Sequence, residues 1–207
     1  MENKIIMEQE YIVPLKSPIH MPWERGVRVK GGSMNTSAMT KNMLDFKQAM
    51  DNAQIQFTLI FGTLLGAIRE GEFIKYDSDA DVACFAEDHK KIKSVVSELQ
   101  KKGFYVPDKN EIPLHDHFFI RDGERIDIWW FDEIDDCWIY DKHIRYKKIF
   151  FDKPKQVQFL QRKFLVPNKP KIFLELTYGE NWNTPYHIKD KKSDYILDMT
   201  MPNGRKR

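Results

Sequence analysis

The chain has 207 residues, of which 42% are hydrophobic and 31% are charged, as expected for one globular domain with a core of ordinary size. Its net charge of +2 is too small to indicate binding to nucleic acid. Cys84 and Cys137 lie far apart in apolar runs, so we expect two buried free thiols in a reducing compartment.

Composition divides the chain into three parts. Residues 1–36 form an N-terminal extension that contains Pro, Gly and Lys, with a linker-like segment at Gly31-Gly32-Ser33. Residues 37–190 form the folded domain, and residues 191–207 form a C-terminal basic tail whose last four residues could touch an anionic lipid surface, although solvation is the usual state of so short a tail. The N-terminus has no apolar core of a signal peptide, and no apolar run is long enough to span a membrane.

The first predicted elements surround a turn and an acidic segment. A helix capped by Asn35, Thr36 or Ser37 should run to about Ala53, because apolar side chains recur at helical spacing. The apolar run 57–61 predicts a buried strand, Gly62-Thr63 a turn that opens a short helix, and residues 77–82 a second strand.

The later elements are shorter and more aromatic. First come a helix over 88–102 that ends at Gly103 and a short strand over 104–106. A hairpin formed by 117–120 and 125–131 around Asp122-Gly123 follows. Further strands and loops are predicted over 135–162, and a helix over 172–178 that ends at Gly179. This order favours an α+β or mixed α/β fold with helices packed on one sheet.

Acidic side chains occupy alternate positions of the predicted second strand. Asp77, Asp79 and Asp81 would therefore share one face, and carboxylates that stay ionised in such a crowd usually have a cation between them. Asp79 and Asp81 are the candidate Mg²⁺ ligands; the alternative is a solvated acidic strand edge. Asp127 stands between two isoleucines, which favours a third ligand or a general base over the alternative, a salt bridge with Arg125.

Gly62-Thr63 is a candidate phosphate-binding turn. Glycine lets a ligand approach the backbone closely, and a helix N-terminus offers free N–H groups and partial positive charge. Most Gly-Thr pairs are only turns, but this one precedes the acidic strand by about fifteen residues. His115 and His117 could suggest zinc, but no third ligand has supporting spacing, which favours a structural or substrate-lining role.

These segments resemble the LicD family, which includes the fukutin-related proteins and belongs to the nucleotidyltransferase superfamily. The segment GTLLGAIREGEFIKYDSDADV is similar to its signature, Arg125-Ile-Asp127-Ile-Trp129 to its later acidic strand, and the segments 164–167 and 176–185 to its closing pattern. The resemblance spans about residues 39–185. The chain departs from the pattern at Glu70, Lys75, Tyr76 and Ser78, none of which is a candidate metal ligand.

The resemblance implies a polymerase-beta-like fold and a definite chemistry. Family members transfer a phosphorylated group, such as phosphocholine or a polyol phosphate, from a CDP-linked donor to a sugar hydroxyl and release CMP. In this chain Asp79, Asp81 and Asp127 would be catalytic and hold Mg²⁺, with Mn²⁺ as an alternative. Gly62, Thr63 and Arg69 would bind donor phosphate. Asp77, Tyr178 and Trp182 are further candidates for substrate contact.

Two other functions share the same residues. An enzyme that moves an NMP from an NTP to a small molecule would use the same three aspartates, and a binding module would retain only the fold. Transfer from a CDP-linked donor, the function that the resemblance implies, also implies a glycan or lipid-linked saccharide as acceptor. The missing signal-anchor favours a cytoplasmic protein, with contact at the inner face of a membrane, where lipid-linked glycans are built, as a further expectation.

Overall fold

A computed structural model describes residues 34–74, 77–106, 116–140 and 144–185. The N-terminal extension up to residue 33, including its linker-like segment, the C-terminal basic tail and His115 lie outside the described residues. Cys84 and Cys137 are buried free thiols, as expected.

Four α-helices and eight β-strands make up the described part of the chain. The helices are α1 (Thr36–Asn52), α2 (Phe61–Arg69), α3 (Ile92–Lys101) and α4 (Pro170–Tyr178). The strands are β1 (Phe57–Leu59), β2 (Asp79–Phe85), β3 (Asp116–Arg121), β4 (Glu124–Ile134), β5 (Cys137–Tyr140), β6 (Ile144–Lys147), β7 (Lys155–Phe159) and β8 (Arg162–Val166).

The strands form one mixed sheet in the order β6-β5-β4-β2-β1-β8-β7, with β3 paired to β4. The β2–β4 and β1–β8 pairs are parallel, and the other pairs are antiparallel. Helices cover the sheet, so the expected α+β fold with a mixed sheet is confirmed. The β3–β4 hairpin turns at Asp122-Gly123, where both residues have positive φ, as the sequence predicts.

Alternation along β2 and β4 separates a core face from a polar face. Ala80, Val82, Ile126 and Ile128 are buried on the core face, where Phe46 of α1 packs against Phe119 of β3. The aspartates occupy the intervening positions and therefore point to the other face. Helix α2 begins on that second face, where the ring of Phe61 contacts Trp129 at a centroid distance of 4.9 Å.

Several predicted boundaries need correction. The first strand ends at Leu59, because Phe61 has a φ of 47° and is already the first residue of α2. The second strand begins at Asp79, so Asp77 lies before it. The predicted helix over 88–102 is a 3₁₀ turn over Ala86–Lys91 followed by α3, and the predicted strand over 104–106 is one isolated bridge between Tyr105 and Ile120.

Candidate metal centre

Three carboxylates converge between β2 and β4. In the parallel pairing of these strands Asp81 lies opposite Asp127, and Asp79 lies opposite Arg125. One oxygen each from Asp79, Asp81 and Asp127 lies within 4.8 Å of the others. Within the ranges that the structure describes, this is the single group of three or more His, Cys, Asp or Glu side chains close enough to hold a metal ion. We call these three residues the triad.

Asp81 is the most tightly held member of the triad. Only 8% of its surface is exposed, and its Oδ1 accepts a hydrogen bond from Nε1 of Trp129 at 2.8 Å. Its backbone N–H donates to Oγ1 of Thr63, also at 2.8 Å. Trp129 is in turn packed between the rings of Phe61 and Tyr140, at centroid distances of 4.9 Å and 4.7 Å. Side chain and backbone of Asp81 are thus fixed by separate partners.

Without a metal ion, the carboxylates of the triad repel one another. Burial raises the pKa of Asp81 well above its usual range, and the charges of Asp79, Asp127 and Asp77 raise it further. Burial also raises the pKa of Asp79, although the Arg125 charge opposes this shift. A divalent cation would remove the repulsion that these shifts express, and carboxylate oxygens are the ligands that Mg²⁺ prefers. The triad therefore fits a divalent metal ion.

Asp127 both forms a salt bridge and lies in the triad. Arg125 Nε donates to its Oδ1 at 2.6 Å, which is the salt bridge considered as the alternative. The same carboxylate nevertheless lies in the triad with Asp79 and Asp81. The salt bridge and the triad are therefore compatible.

Asp77 lies against the N-terminal turn of α2. A Cβ atom placed on Gly62 would overlap Oδ2 of Asp77, so the glycine is what allows this carboxylate to approach. The Ser78 N–H donates to Asp77 Oδ1 at 3.0 Å. Burial, followed by the charge of Asp79, raises the pKa of Asp77 to about 7. A carboxylate of the chain itself therefore lies beside the turn to which the sequence interpretation assigns donor phosphate.

The remaining predicted site residues have other surroundings. Thr63 is buried, and its hydroxyl oxygen accepts the Asp81 N–H described above. Arg69 is the last residue of α2, roughly 10 Å along the helix axis from Gly62, and pairs with Glu70. Tyr178 ends α4, and both it and Trp182 are partly buried against the hydrophobic core.

The sequence interpretation does not identify the hydrogen bond from Trp129 to Asp81, and it treats the Arg125–Asp127 salt bridge as an alternative to a place in the triad. Trp129 and Arg125 are each two positions from Asp127 on an alternating strand, and this spacing predicts that their side chains share the face of the triad. His117 accepts a hydrogen bond from Trp130 Nε1 at 3.1 Å, which fits the structural role expected for it.

A groove of about 360 Å³ lies elsewhere on the molecule. Its lining includes Lys47 of α1, Phe57 at the first position of β1, and Lys163 of β8, and it contains no triad residue. The triad lies beyond the other end of β1, where Ile60 N–H donates to the Asp81 carbonyl. Because three carboxylates that could hold a metal ion converge at the triad, and the pKa values of Asp79 and Asp81 are raised there, we place the functional site at the triad and not in this groove.

The part of the chain that contains the triad matches a known protein family. Residues 54–169 match the family described as "LicD/FKTN/FKRP, nucleotidyltransferase domain", a region that includes the whole triad. The chain belongs to the LicD family. The resemblance carried by the sequence motifs is therefore confirmed.

Curated relatives include "Ribitol-5-phosphate transferase FKTN" of Homo sapiens, 27% identical over 166 residues that make up 76% of this chain and 35% of the relative. The protein of the same name from Mus musculus is 29% identical over 159 residues, 72% of this chain and 34% of the relative. The LicD chain thus spans about a third of the length of the curated relatives it matches.

A solved structure supports the fold independently. The crystal structure of ANT(2")-Ia in complex with adenylyl-2"-tobramycin superimposes with a TM-score of 0.51 and 12% identity, covering 78% of this chain and 85% of that one. At this identity the likeness establishes the nucleotidyltransferase fold and nothing about substrates. Within the described residues of the LicD chain, none of the helices has the length and apolarity needed to cross a membrane.

Proposed function

We propose that this LicD protein transfers a phosphorylated alcohol, such as a polyol phosphate or phosphocholine, from a CDP-linked donor to a glycan hydroxyl and releases CMP. The observation that carries the proposal is the convergence of Asp79, Asp81 and Asp127 within 4.8 Å on one face of the sheet. The family membership and the name of the fukutin relatives, ribitol-5-phosphate transferase, support the same class of reaction.

The proposed reaction is a single displacement at phosphorus. The acceptor oxygen forms a bond to the phosphorus that carries the alcohol, and the bond from that phosphorus to the bridging oxygen breaks. CMP leaves with the bridging oxygen, and the acceptor hydroxyl loses its proton. Asp127, which is half-buried beside Asp81, is the carboxylate proposed to align that hydroxyl or accept its proton.

Asp79, Asp81 and Asp127 would hold Mg²⁺, with Mn²⁺ as an alternative, and the bound ion would supply neutralisation of charge on the transferred and leaving phosphates. Trp129 and Thr63 keep Asp81 in one orientation, so the site does not need to reorganise when the metal binds. The chain thus provides a preformed ligand set.

Further contacts of the donor and acceptor remain proposals. Gly62, Thr63 and the backbone N–H groups at the start of α2 are candidates for the diphosphate, provided that Asp77 is protonated or moves aside. Arg69 is a candidate only if it leaves Glu70. Tyr178 and Trp182 are candidates for stacking on the cytosine or lining the acceptor site. With a lipid-linked saccharide as acceptor, the chain would act in peripheral contact with the cytoplasmic face of a membrane.

Nucleotide release tests the proposal directly. The purified chain is incubated with Mg²⁺, a panel of glycans and either CDP-ribitol, CDP-glycerol or CDP-choline, and CMP is quantified. Asp79→Asn serves as the inactive variant, and Asp132→Asn, an exposed aspartate farther along β4, as the matched control. We expect CMP from at least one donor with the wild type and the control, and none with Asp79→Asn.

A parallel assay with ATP, CTP, GTP and UTP separates the alternative. Pyrophosphate release with a small-molecule acceptor, together with no CMP from any CDP-linked donor, would assign the chain to nucleotidyl transfer. Calorimetry that detects no Mg²⁺-dependent nucleotide binding at all would instead point to a binding module that retains only the fold.

A further inference from the structure

The half-buried Arg125 has contacts that differ from those of Arg121, a buried arginine on the same sheet. It lies on β4 two residues before Asp127 and opposite Asp79 of β2, so its side chain shares the face of the triad. Its Nε donates to Asp127 Oδ1 at 2.6 Å. Its guanidinium carbon lies 4.2 Å from the ring centre of Phe118 on β3. One hydrogen bond and one ring face therefore hold the guanidinium.

Most of the hydrogen-bonding capacity of Arg125 is unused. A guanidinium has five N–H donors, and within the described part of the chain neither Nη1 nor Nη2 of Arg125 donates a hydrogen bond. Arg121 on β3 is the contrast, because it donates to the Asn42 side chain, the Lys102 carbonyl and the Asp45 carboxylate. The Arg125 side chain keeps 25% of its surface exposed, so the side chain is not sealed from solvent.

The position of these nitrogens defines the ligand chemistry. They stand at the rim of a metal-binding carboxylate group, where a ligand rich in acceptor oxygens and negative charge would meet both the metal ion and the guanidinium. We infer that Arg125 is the arginine that binds the diphosphate of the nucleotide donor, with Phe118 and Asp127 holding its plane in place. This inference rests on the proposed function and names a residue that the sequence motif does not assign to it.

The contact with Asp127 explains how one arginine can serve both partners. Arg125 uses Nε for Asp127, and a planar guanidinium leaves the Nη1 and Nη2 edge directed away from that bond. Phosphate binding therefore does not require Arg125 to give up its contact with the triad. Arg69, by comparison, would have to leave Glu70 to reach a phosphate.

Separate titrations of metal and nucleotide test the assignment. Mn²⁺ affinity is measured by electron paramagnetic resonance, and CDP affinity at saturating Mg²⁺ by calorimetry, for the wild type, Arg125→Gln, Arg125→Lys and the exposed control Arg145→Gln. We expect Arg125→Gln to weaken CDP binding ten-fold or more while Mn²⁺ affinity changes less than two-fold or rises. Arg125→Lys, which keeps the charge but loses the planar fork, should fall between the two.

Two results would overturn the assignment. CDP affinity of Arg125→Gln within two-fold of the wild type would exclude a phosphate contact, and a parallel loss of Mn²⁺ and CDP affinity would make Arg125 a positioning residue for the triad. Arg125→Lys repeats the test if Arg125→Gln does not fold. If the wild type releases pyrophosphate and no CMP, the proposed function is wrong but the assignment of Arg125 is still open to test. The titration is then repeated with the NTP that the wild type uses. A wild type that binds no nucleotide contradicts both.

Discussion

Thr63 and Asp81 are joined by a hydrogen bond across eighteen residues of sequence, from the Asp81 backbone N–H to Thr63 Oγ1 at 2.8 Å. Both partners are buried. The first turn of α2 therefore fixes the strand position from which Asp81 projects into the triad. The Gly-Thr turn of the family motif therefore helps to position Asp81 at the candidate metal centre, apart from any contact with phosphate.

Thr63→Val should destabilise the fold because it leaves the Asp81 N–H buried without an acceptor. Such a loss costs about 1–3 kcal/mol, whereas Thr63→Ser keeps the hydroxyl oxygen and should cost less. Urea denaturation of the three proteins measures the difference. If Thr63→Val and Thr63→Ser were equally stable, the hydrogen bond would contribute nothing measurable, and Thr63 would matter only through contact with substrate.

Asp79→Asn and Asp81→Asn should each abolish turnover while leaving the melting temperature unchanged or higher. Each substitution removes one negative charge from a crowded, largely buried group, which relieves repulsion in the protein without metal. Thermal unfolding in EDTA and CMP release in Mg²⁺ provide the two measurements, with Asp132→Asn as the control. A drop in melting temperature of several degrees would show that these carboxylates stabilise the fold through partners of their own.

Trp129→Phe should weaken metal binding without disrupting the aromatic packing. The substitution keeps a ring between Phe61 and Tyr140 but removes the N–H that donates to Asp81 Oδ1 and lowers its pKa. Loss of a partner that orients a metal ligand typically costs roughly 10–100-fold in affinity. Mn²⁺ titration followed by electron paramagnetic resonance measures the change.

Trp138→Phe is the matched control for that experiment. Among the described residues, the buried Nε1 of Trp138 has no hydrogen-bond partner, so replacing this ring removes a donor that nothing in that part of the chain accepts and leaves the triad intact. Its Mn²⁺ affinity should equal that of the wild type. Equal losses in Trp129→Phe and Trp138→Phe would mean that general packing, and not the hydrogen bond to Asp81, controls the metal site.

Local alternation in the sequence was sufficient to predict that Asp79 and Asp81 share one face of a strand, whereas their meeting with Asp127 depends on the pairing of β2 with β4. Asp79 and Asp81 alternate with buried Ala80 and Val82, and this pattern specifies which face the carboxylates occupy. The hairpin and the helix caps were also predictable, because Asp122-Gly123, Asn35 and Gly179 have local conformational preferences.

Pairing between distant segments explains what the sequence alone did not show. Alternation continues back to Asp77, but strand β2 begins at Asp79, which pairs with Arg125 near the start of β4. Asp77 instead turns to Gly62. Trp129 reaches Asp81 through the same parallel pairing, which also places Arg125 opposite Asp79, and this register joins segments 46 residues apart that no local pattern relates.

Asp77 should make the stability of the protein without metal depend on pH. Burial raises its folded-state pKa from 3.8 to about 7, so the folded protein keeps a proton that the unfolded chain has already lost. Its contribution to stability is therefore complete below pH 3.8 and is lost as pH rises to about 7. With ~1.4 kcal/mol for each pKa unit, the loss is on the order of 4 kcal/mol.

Urea denaturation in EDTA at pH 4, 5, 6, 7 and 8 should therefore show a fall in unfolding free energy for the wild type. The fall should be smaller in Asp77→Asn, which has no proton to release, and unchanged in Asp132→Asn. Identical pH profiles for the wild type and Asp77→Asn would show that Asp77 is solvated and has an ordinary pKa.

Gly62→Ala should destabilise the fold, and removal of the Asp77 carboxylate should cancel most of the loss. A Cβ at position 62 would overlap Oδ2 of Asp77, and overpacking of this kind costs about 1–3 kcal/mol. In an Asp77→Ala background the overlap is gone, so the helix preference for Ala should reduce or reverse the penalty. A double-mutant cycle by urea denaturation should give a coupling of about 0.5–3 kcal/mol.

Gly66→Ala is the matched control, because a Cβ there would meet the backbone carbonyl of Glu72 and no carboxylate. Its cost should be the same with Asp or Ala at position 77. If the cycle for Gly62 also showed no coupling, the close approach of Asp77 to the start of α2 would be ruled out.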